Sequence, residues 1–170
     1  MNKGILSVFL AIFILAGPSC GYRFEGGGYL KESVRRVAVS IFENRTNESG
    51  AGFTFANALI QEITEKTDTR VVDPEMAEAV IKGTITAITF STLSRSTSES
   101  VVEREVTAIL DVKMVDSSGE ILWSIKKLVS TDDYKVAEDQ LSDDANKRSA
   151  VEQIASRCAE KIVSRLLINF

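Results

Sequence analysis

The sequence predicts an α/β fold in which two helices pack on one face of a mixed four-stranded sheet. Residues 101–115 and 120–131 alternate apolar and polar side chains, as strands with one buried face do. Residues 52–66 and the segment from 142 to about 166 instead carry apolar side chains at helical spacing. The order of elements is β-α-β-β-β-α, which favours a two-layer sandwich.

The first half of the domain is expected to form a parallel β-α-β unit. Val37, Val39 and Ile41 share one face of a first strand over residues 35–42. A polar, turn-rich segment at 43–50 leads into the first helix. Residues 69–90 are then treated as one strand that Pro74 interrupts. A right-handed crossover through the helix makes this strand parallel to the first.

The rest of the chain is expected to form an antiparallel meander and a long helix. The apolar alternation shifts at Ile88, which predicts a bulge. Segment 91–100 is polar except for Leu93 and is interpreted as a hairpin loop. Ser142 is the expected cap of the final helix. The side chains expected on the inner face of the last strand are Ile121, Trp123, Ile125 and Val129.

The amino terminus has the pattern of a secretory signal. Lys3 precedes an apolar run at 5–16, and small residues at 17–19 precede Cys20. Twelve helical residues rise about 18 Å, too little to cross a hydrocarbon core of about 30 Å. A cysteine directly after the small residues indicates a bacterial lipoprotein, cut before Cys20 and acylated on it. The alternative is a plain secreted protein that is cut nearby, with Cys20 incidental.

These features divide the chain into three parts. Residues 1–19 are the signal peptide, 20–34 comprise the lipidated Cys20 and a flexible glycine-rich tether, and 35–170 form a single α/β domain. Cys158 then has no disulfide partner, and its place in an apolar helical stripe predicts that it is buried. A formal net charge of -4 argues against a nucleic-acid-binding protein.

The sequence offers little for catalysis. The chain contains no histidine, the usual general base and the commonest metal ligand, so no catalytic residue, metal or cofactor is predicted. Glu103 and Glu105 point the same way from one strand and could serve a carboxylate-dependent hydrolase, but charges on a solvated face are commoner. Basic residues near the predicted hairpin loop and last strand could instead receive phosphate or carboxylate groups, although ordinary solubilising charge also explains them. They are Arg95, Lys126, Lys127 and Lys135.

Several segments together resemble the LptE family of lipopolysaccharide-assembly lipoproteins. They are Cys20-Gly21-Tyr22-Arg23-Phe24 after the signal, the strand and turn at 36–46, residues 58–62 and 82–85, the hairpin from Val106 to Trp123, and residues 162–167. The likeness covers essentially the whole mature chain in order. A strand ending in Phe-Glu-Asn-Arg-Thr also resembles curli-secretion and Tol-associated lipoproteins, so a component of such a complex is the alternative.

The resemblance implies a non-enzymatic protein that plugs the outer-membrane β-barrel LptD, helps it to fold, and contacts lipopolysaccharide on its way to the cell surface. The protein would be anchored in the outer membrane by its lipid, on the periplasmic side or in the barrel lumen. Gly21 rather than aspartate after the cysteine is consistent with sorting to the outer membrane. Arg95 stands in the loop comparable to the family's lipid-contacting loop, and Lys135 is a second candidate for that contact.

Overall fold

The computed structural model describes residues 27–95 and 102–168, and among them two α-helices pack on one face of a six-stranded mixed sheet. The two-layer α/β class is confirmed. In chain order the elements are β1 (Arg36–Val39), β2 (Glu43–Asn44), α1 (Ala51–Lys66), β3 (Arg70–Val71), a 3-10 turn (Pro74–Met76), β4 (Ala79–Arg95), β5 (Val102–Asp116), β6 (Ile121–Lys135) and α2 (Gln140–Ile168). Neither helix in this part of the chain is both long and apolar enough to span a membrane.

The strand order β3-β1-β4-β5-β6 corrects the expected count of four strands. β1 lies parallel between β3 and β4, the short β2 is also parallel to β4, and β4, β5 and β6 form the expected antiparallel meander. Residues 69–90 are therefore two strands on opposite sides of β1. The Val72 N–H donates to Val37 and the Glu78 N–H donates to Arg36, so the turn at Pro74 carries the chain across the end of β1.

The core lies between the sheet and the helices, as the alternation in β5 predicts. Its largest fully buried side chains come from every layer: Phe55, Leu59 and Ile63 of α1, Ile81 and Ile85 of β4, Leu110 and Met114 of β5, and Ile154, Ile162 and Leu166 of α2. Burial of such side chains contributes about 1.5–3 kcal/mol each, which makes this face the main source of stability. Among the residues that the structure describes, no helix packs on the opposite face of the sheet, which we call the helix-free face.

The inner face of β6 changes halfway along the strand, which corrects one expectation. Trp123 and Ile125 face the helices as predicted. Ile121 instead pairs with Val115 after a register shift and is 56% exposed, and Val129 is 47% exposed while Leu128 is buried. The β5–β6 register shifts between Ile125 and Leu128, and Lys127 there has a φ of 54°. This bulge inserts one extra residue, so every later side chain points to the other face.

The domain begins earlier than residue 35. Leu30 and Val34, in the segment assigned to the tether, are buried in the core. The Leu30 N–H donates to the Thr69 hydroxyl at 2.9 Å, which fixes this segment beside the start of β3. Val34 closes a tight turn by donating its N–H to the Lys31 carbonyl at 2.8 Å, and two apolar side chains in a turn produce no periodic pattern that the sequence could reveal.

In the second half of the domain, a bulge, a strand end and a helix start lie at positions that differ from those expected. The bulge expected near Ile88 lies between Ile85 and Ala87. β4 continues to Arg95, so the first half of the expected 91–100 loop is strand. Helix α2 begins earlier than expected, and the Asp139 carboxylate, rather than Ser142, accepts the capping bond from the Ser142 N–H at 2.9 Å.

Candidate functional site

The two predicted lipid-contact residues lie at the same end of the sheet. Arg95 is the last residue of β4 and pairs with Val102, while Ser94 pairs with Glu103, which in turn pairs with Lys135 at the end of β6. The backbones of Arg95 and Lys135 are thus separated by a single intervening strand, β5. We call this end of the sheet, formed by the last residues of β4 and β6 and the first residues of β5, the strand tip. Cys20 lies outside the described residues.

Helix α2 supports the tip from the inner side. The Asn146 side-chain amide donates to the Lys135 carbonyl at 2.9 Å and so ties the end of β6 to the first turns of the helix. A cavity of about 390 Å³ opens between the two elements. It is lined by Asp133, Tyr134, Lys135, Asn146, Ser149, Ala150 and Gln153. The exposed Lys135 therefore stands at the rim of a polar cavity that could admit part of an anionic head group.

An arginine and a tyrosine face each other on the inner side of the tip. Arg104 of β5 pairs with Tyr134 of β6, and interaction with the Tyr134 hydroxyl raises the pKa of Arg104 above its ordinary value. The geometry is short of a full hydrogen bond, so this buried hydroxyl has no such partner within the described ranges. The Tyr134 ring packs edge-on against Phe90 at 6.0 Å, which fixes its position.

Lys147 of α2 adds a further positive charge behind the tip. Its ammonium lies 4.6 Å from the centre of the Phe90 ring and 2.7 Å from a carboxylate oxygen of Glu48. Glu48 belongs to the loop between β2 and α1, so one lysine joins that loop, α2 and β4. Since Lys147 already has a carboxylate partner, its role here is to hold the supporting elements together.

Sequence reasoning missed Arg104, Tyr134 and Lys147 because no motif connects them. One signal was available for Arg104: it occupies an inward position of β5, between Val102 and Val106, where a charged residue is unusual. Lys126 and Lys127, in contrast, lie at the bulge in the middle of β6 and not at the tip. Of the four basic residues that the sequence grouped together, only Arg95 and Lys135 share the tip.

The acidic residues of the tip do not form a metal site in the described part of the chain. Glu103 lies opposite Lys135 on the helix-free face, and Glu105 lies opposite Asp133. A Glu105 oxygen accepts a long hydrogen bond of 3.5 Å from the Thr107 hydroxyl. Over residues 27–95 and 102–168, no three cysteine, aspartate or glutamate side chains converge to hold a metal ion.

Comparison with known proteins gives a family match and a set of similar folds. A family model described as LptE, lipopolysaccharide-assembly, matches residues 34–166. A Caulobacter crescentus protein described as a lipoprotein is similar in fold, with a TM-score of 0.52 and 15% identity over 74% of this chain and 86% of its own. A minor lipoprotein of Acinetobacter baumannii has a TM-score of 0.51 and 11% identity, over 79% and 92% respectively. No curated protein sequence matches the chain.

Proposed function

The chain belongs to the LptE family of lipopolysaccharide-assembly proteins, and on that premise we propose that it is the non-catalytic partner of an LptD-type outer-membrane barrel. In this role it plugs the barrel, helps it to fold, and contacts lipopolysaccharide during transport to the cell surface. The observation that carries the lipid contact is the placement of Arg95 and Lys135 at one end of the sheet.

The helix-free face of the sheet supports a place inside a water-filled barrel. Its middle rows include a threonine from each long strand, because Thr89 pairs with Thr107 and Thr107 with Thr131. Towards the tip the same face carries Glu105 opposite Asp133. Hydroxyl and carboxylate groups of this kind suit the polar lumen of a large barrel better than a dry interface.

The tip supports contact with an anionic lipid. Lipopolysaccharide carries phosphate and carboxylate groups, and arginine and lysine bind such groups through charge-assisted hydrogen bonds. Lys135 is exposed at the rim of the tip cavity, whereas Arg104 and Lys147 lie behind it. In this arrangement Arg95 and Lys135 contact the lipid, and Lys147, paired with Glu48, holds the supporting elements in place behind them.

The lipid anchor completes the proposal. Cleavage before Cys20 leaves an amino-terminal cysteine that carries the acyl chains, and Gly21 rather than aspartate at the next position is consistent with sorting to the outer membrane. Two or more acyl chains hold a protein on a bilayer stably, which a single chain does not. The anchor therefore keeps the domain beside its barrel on the periplasmic side or within the lumen.

Depletion of the protein in its own bacterium tests this function. We expect lipopolysaccharide on the cell surface to fall and the barrel to accumulate in a misfolded form, since both its plug and its folding partner are lost. An unchanged amount of surface lipopolysaccharide, together with loss of a different envelope activity, would instead favour a component of a curli-secretion or Tol-associated complex. Re-expression of the wild-type chain is the control.

A further inference from the structure

A second polar cavity lies at the end of the domain opposite the strand tip, which we call the base. The base is where β1, β3 and β4 begin, since Val37 pairs with both Val71 and Ala79. The cavity has a volume of about 540 Å³. It is lined by Tyr29, Arg35, Arg36, Asp68, Arg70 and Glu78. Three arginines thus meet in one cavity of a chain whose net charge is negative.

One of the three arginines already has a carboxylate partner. A Glu78 oxygen lies 3.3 Å from the Arg36 guanidinium, and the other Glu78 oxygen accepts the Arg35 and Arg36 backbone N–H groups at 2.7 and 3.1 Å. These backbone bonds, with the Arg36 side chain, lower the pKa of Glu78 and keep it charged. Glu78 therefore offsets Arg36 and fixes the start of β1.

The other two arginines form no ion pair with a carboxylate in the part of the chain that the structure describes. The Arg35 guanidinium lies 4.7 Å from the centre of the Tyr29 ring and donates to its hydroxyl at 3.3 Å, so it is held in place without being neutralised. Arg70 pairs directly with Arg36 across the parallel strands. Like charges in facing positions are unfavourable unless an anion lies between them.

The cavity also lies where the amino-terminal segment joins the domain. The Asp68 N–H donates to the Gly28 carbonyl at 3.1 Å, and the side chain of Asp68 lines the cavity. Six residues lie between Cys20 and Gly27, and the seven Cα–Cα steps that join them span about 25 Å when the chain is extended. If Cys20 is acylated, as the proposed function requires, the base is the part of the domain nearest the membrane.

We propose that the base cavity binds the phosphate group of a membrane phospholipid. Guanidinium groups match the geometry of phosphate oxygens and are less strongly hydrated than ammonium groups, so Arg35 and Arg70 suit this ligand. Three arginines against Asp68 and Glu78 leave one positive charge, which matches a singly charged phosphodiester. Binding holds the base on the bilayer, close to the lipid anchor.

Titration calorimetry on the mature, acylated protein in dodecyl maltoside micelles tests the proposal. The probe is dihexanoylphosphatidylglycerol, a soluble anionic phospholipid, and inorganic phosphate is titrated in parallel. Arg70→Gln should weaken binding of the phospholipid about tenfold, the usual effect of losing one charge-assisted contact. Asp68→Asn should strengthen it, because one of the two carboxylates that line the cavity is lost. Arg148→Gln is the matched control, since it removes the same charge near the tip.

Each result has one meaning. Tighter binding of the phospholipid than of phosphate, weakened by Arg70→Gln and not by Arg148→Gln, supports the assignment. Equal binding of both probes would overturn the lipid as the source of the phosphate group, and equal affinity of the wild type and Arg70→Gln would overturn the site. The assay contains neither barrel nor lipopolysaccharide. A negative result would therefore contradict the phospholipid site without contradicting the proposed function. Labelling of Cys20 with a radioactive fatty acid tests the anchor separately.

Discussion

The phenyl ring of Phe42 lies directly against Gly83, in the space that a β-carbon on Gly83 would occupy. Phe42 follows β1 and is buried, and Gly83 pairs with Val112 on the inner face of β4. The contact lets the loop before α1 cross close above the sheet. The absence of a side chain at Gly83 is thus what allows the β-α-β half of the domain to pack on the meander.

Gly83→Ala should therefore lower the free energy of unfolding by about 1–3 kcal/mol, because a methyl group overpacks the core. Urea unfolding followed by the fluorescence of Trp123, the single tryptophan of the chain, measures the change. Gly28→Ala is the control, since nothing lies within 4 Å of its β-carbon position. Equal unfolding midpoints for the two variants would show that Phe42 can move aside.

Charge reversal at the tip should weaken lipopolysaccharide binding. Arg95→Glu and Lys135→Glu each replace an attractive charge by a repulsive one, and about a tenfold loss of affinity is expected for each. Lys126→Glu makes the same change at the mid-strand bulge and should leave binding unaffected. Titration of the purified protein with lipopolysaccharide measures the affinities. If Lys126→Glu weakens binding as much as the two tip variants do, the affinity for lipopolysaccharide depends on net charge and not on the strand tip.

The Lys147–Glu48 ion pair should stabilise the packing behind the tip. Its side chains are only 35% and 24% exposed, so solvent screens the 2.7 Å contact less than at an open surface. A double-mutant cycle with Lys147→Met and Glu48→Gln should give a coupling energy of about 0.5–1 kcal/mol. The more exposed Arg45–Glu43 pair is the comparison and should give a value near zero. Equal couplings would contradict the assigned role of Lys147.

Stability should fall at alkaline pH through Cys158. Burial raises the pKa of this thiol from 9.0 to about 11. Between those values the unfolded chain has lost the proton and the native state keeps it, so the free energy of unfolding decreases as the pH rises. The full effect is about 2–3 kcal/mol. Because lysines and tyrosines also titrate in this range, the measurement is the difference in pH dependence between the wild type and Cys158→Ala.

No difference between those two profiles would indicate that the native thiol ionises freely. Rapid reaction of the folded protein with a thiol reagent at pH 8 would lead to the same conclusion, since only the thiolate reacts. The expected behaviour is slow labelling in buffer and fast labelling in denaturant.

The sequence predicted those parts of the fold that depend on local periodicity. Both helices and the alternation of Val106, Ala108, Leu110, Val112 and Met114 followed from spacing alone, because a single buried face fixes each pattern. The position of β3 did not follow. A two-residue strand has no period, and its place beside β1 depends on contacts between residues more than thirty positions apart.

The candidate site could be predicted only in part from the sequence, for the same reason. Charge and the family resemblance directed attention to Arg95 and Lys135, and strand pairing then placed both at the same end of the sheet. The tyrosine and lysine behind the tip could not be found this way, since Tyr134 turns inward only after the bulge at Lys127. A non-glycine residue with a positive φ leaves no mark in the sequence.

Affinity purification of the tagged protein from detergent-solubilised membranes, with bound protein and lipid identified by mass spectrometry, shows whether the chain is the partner of an LptD-type barrel. One large outer-membrane barrel of the LptD type should be recovered in an amount equal to the tagged protein, together with lipopolysaccharide. Recovery of a different envelope complex, with neither the barrel nor lipopolysaccharide, would contradict this role.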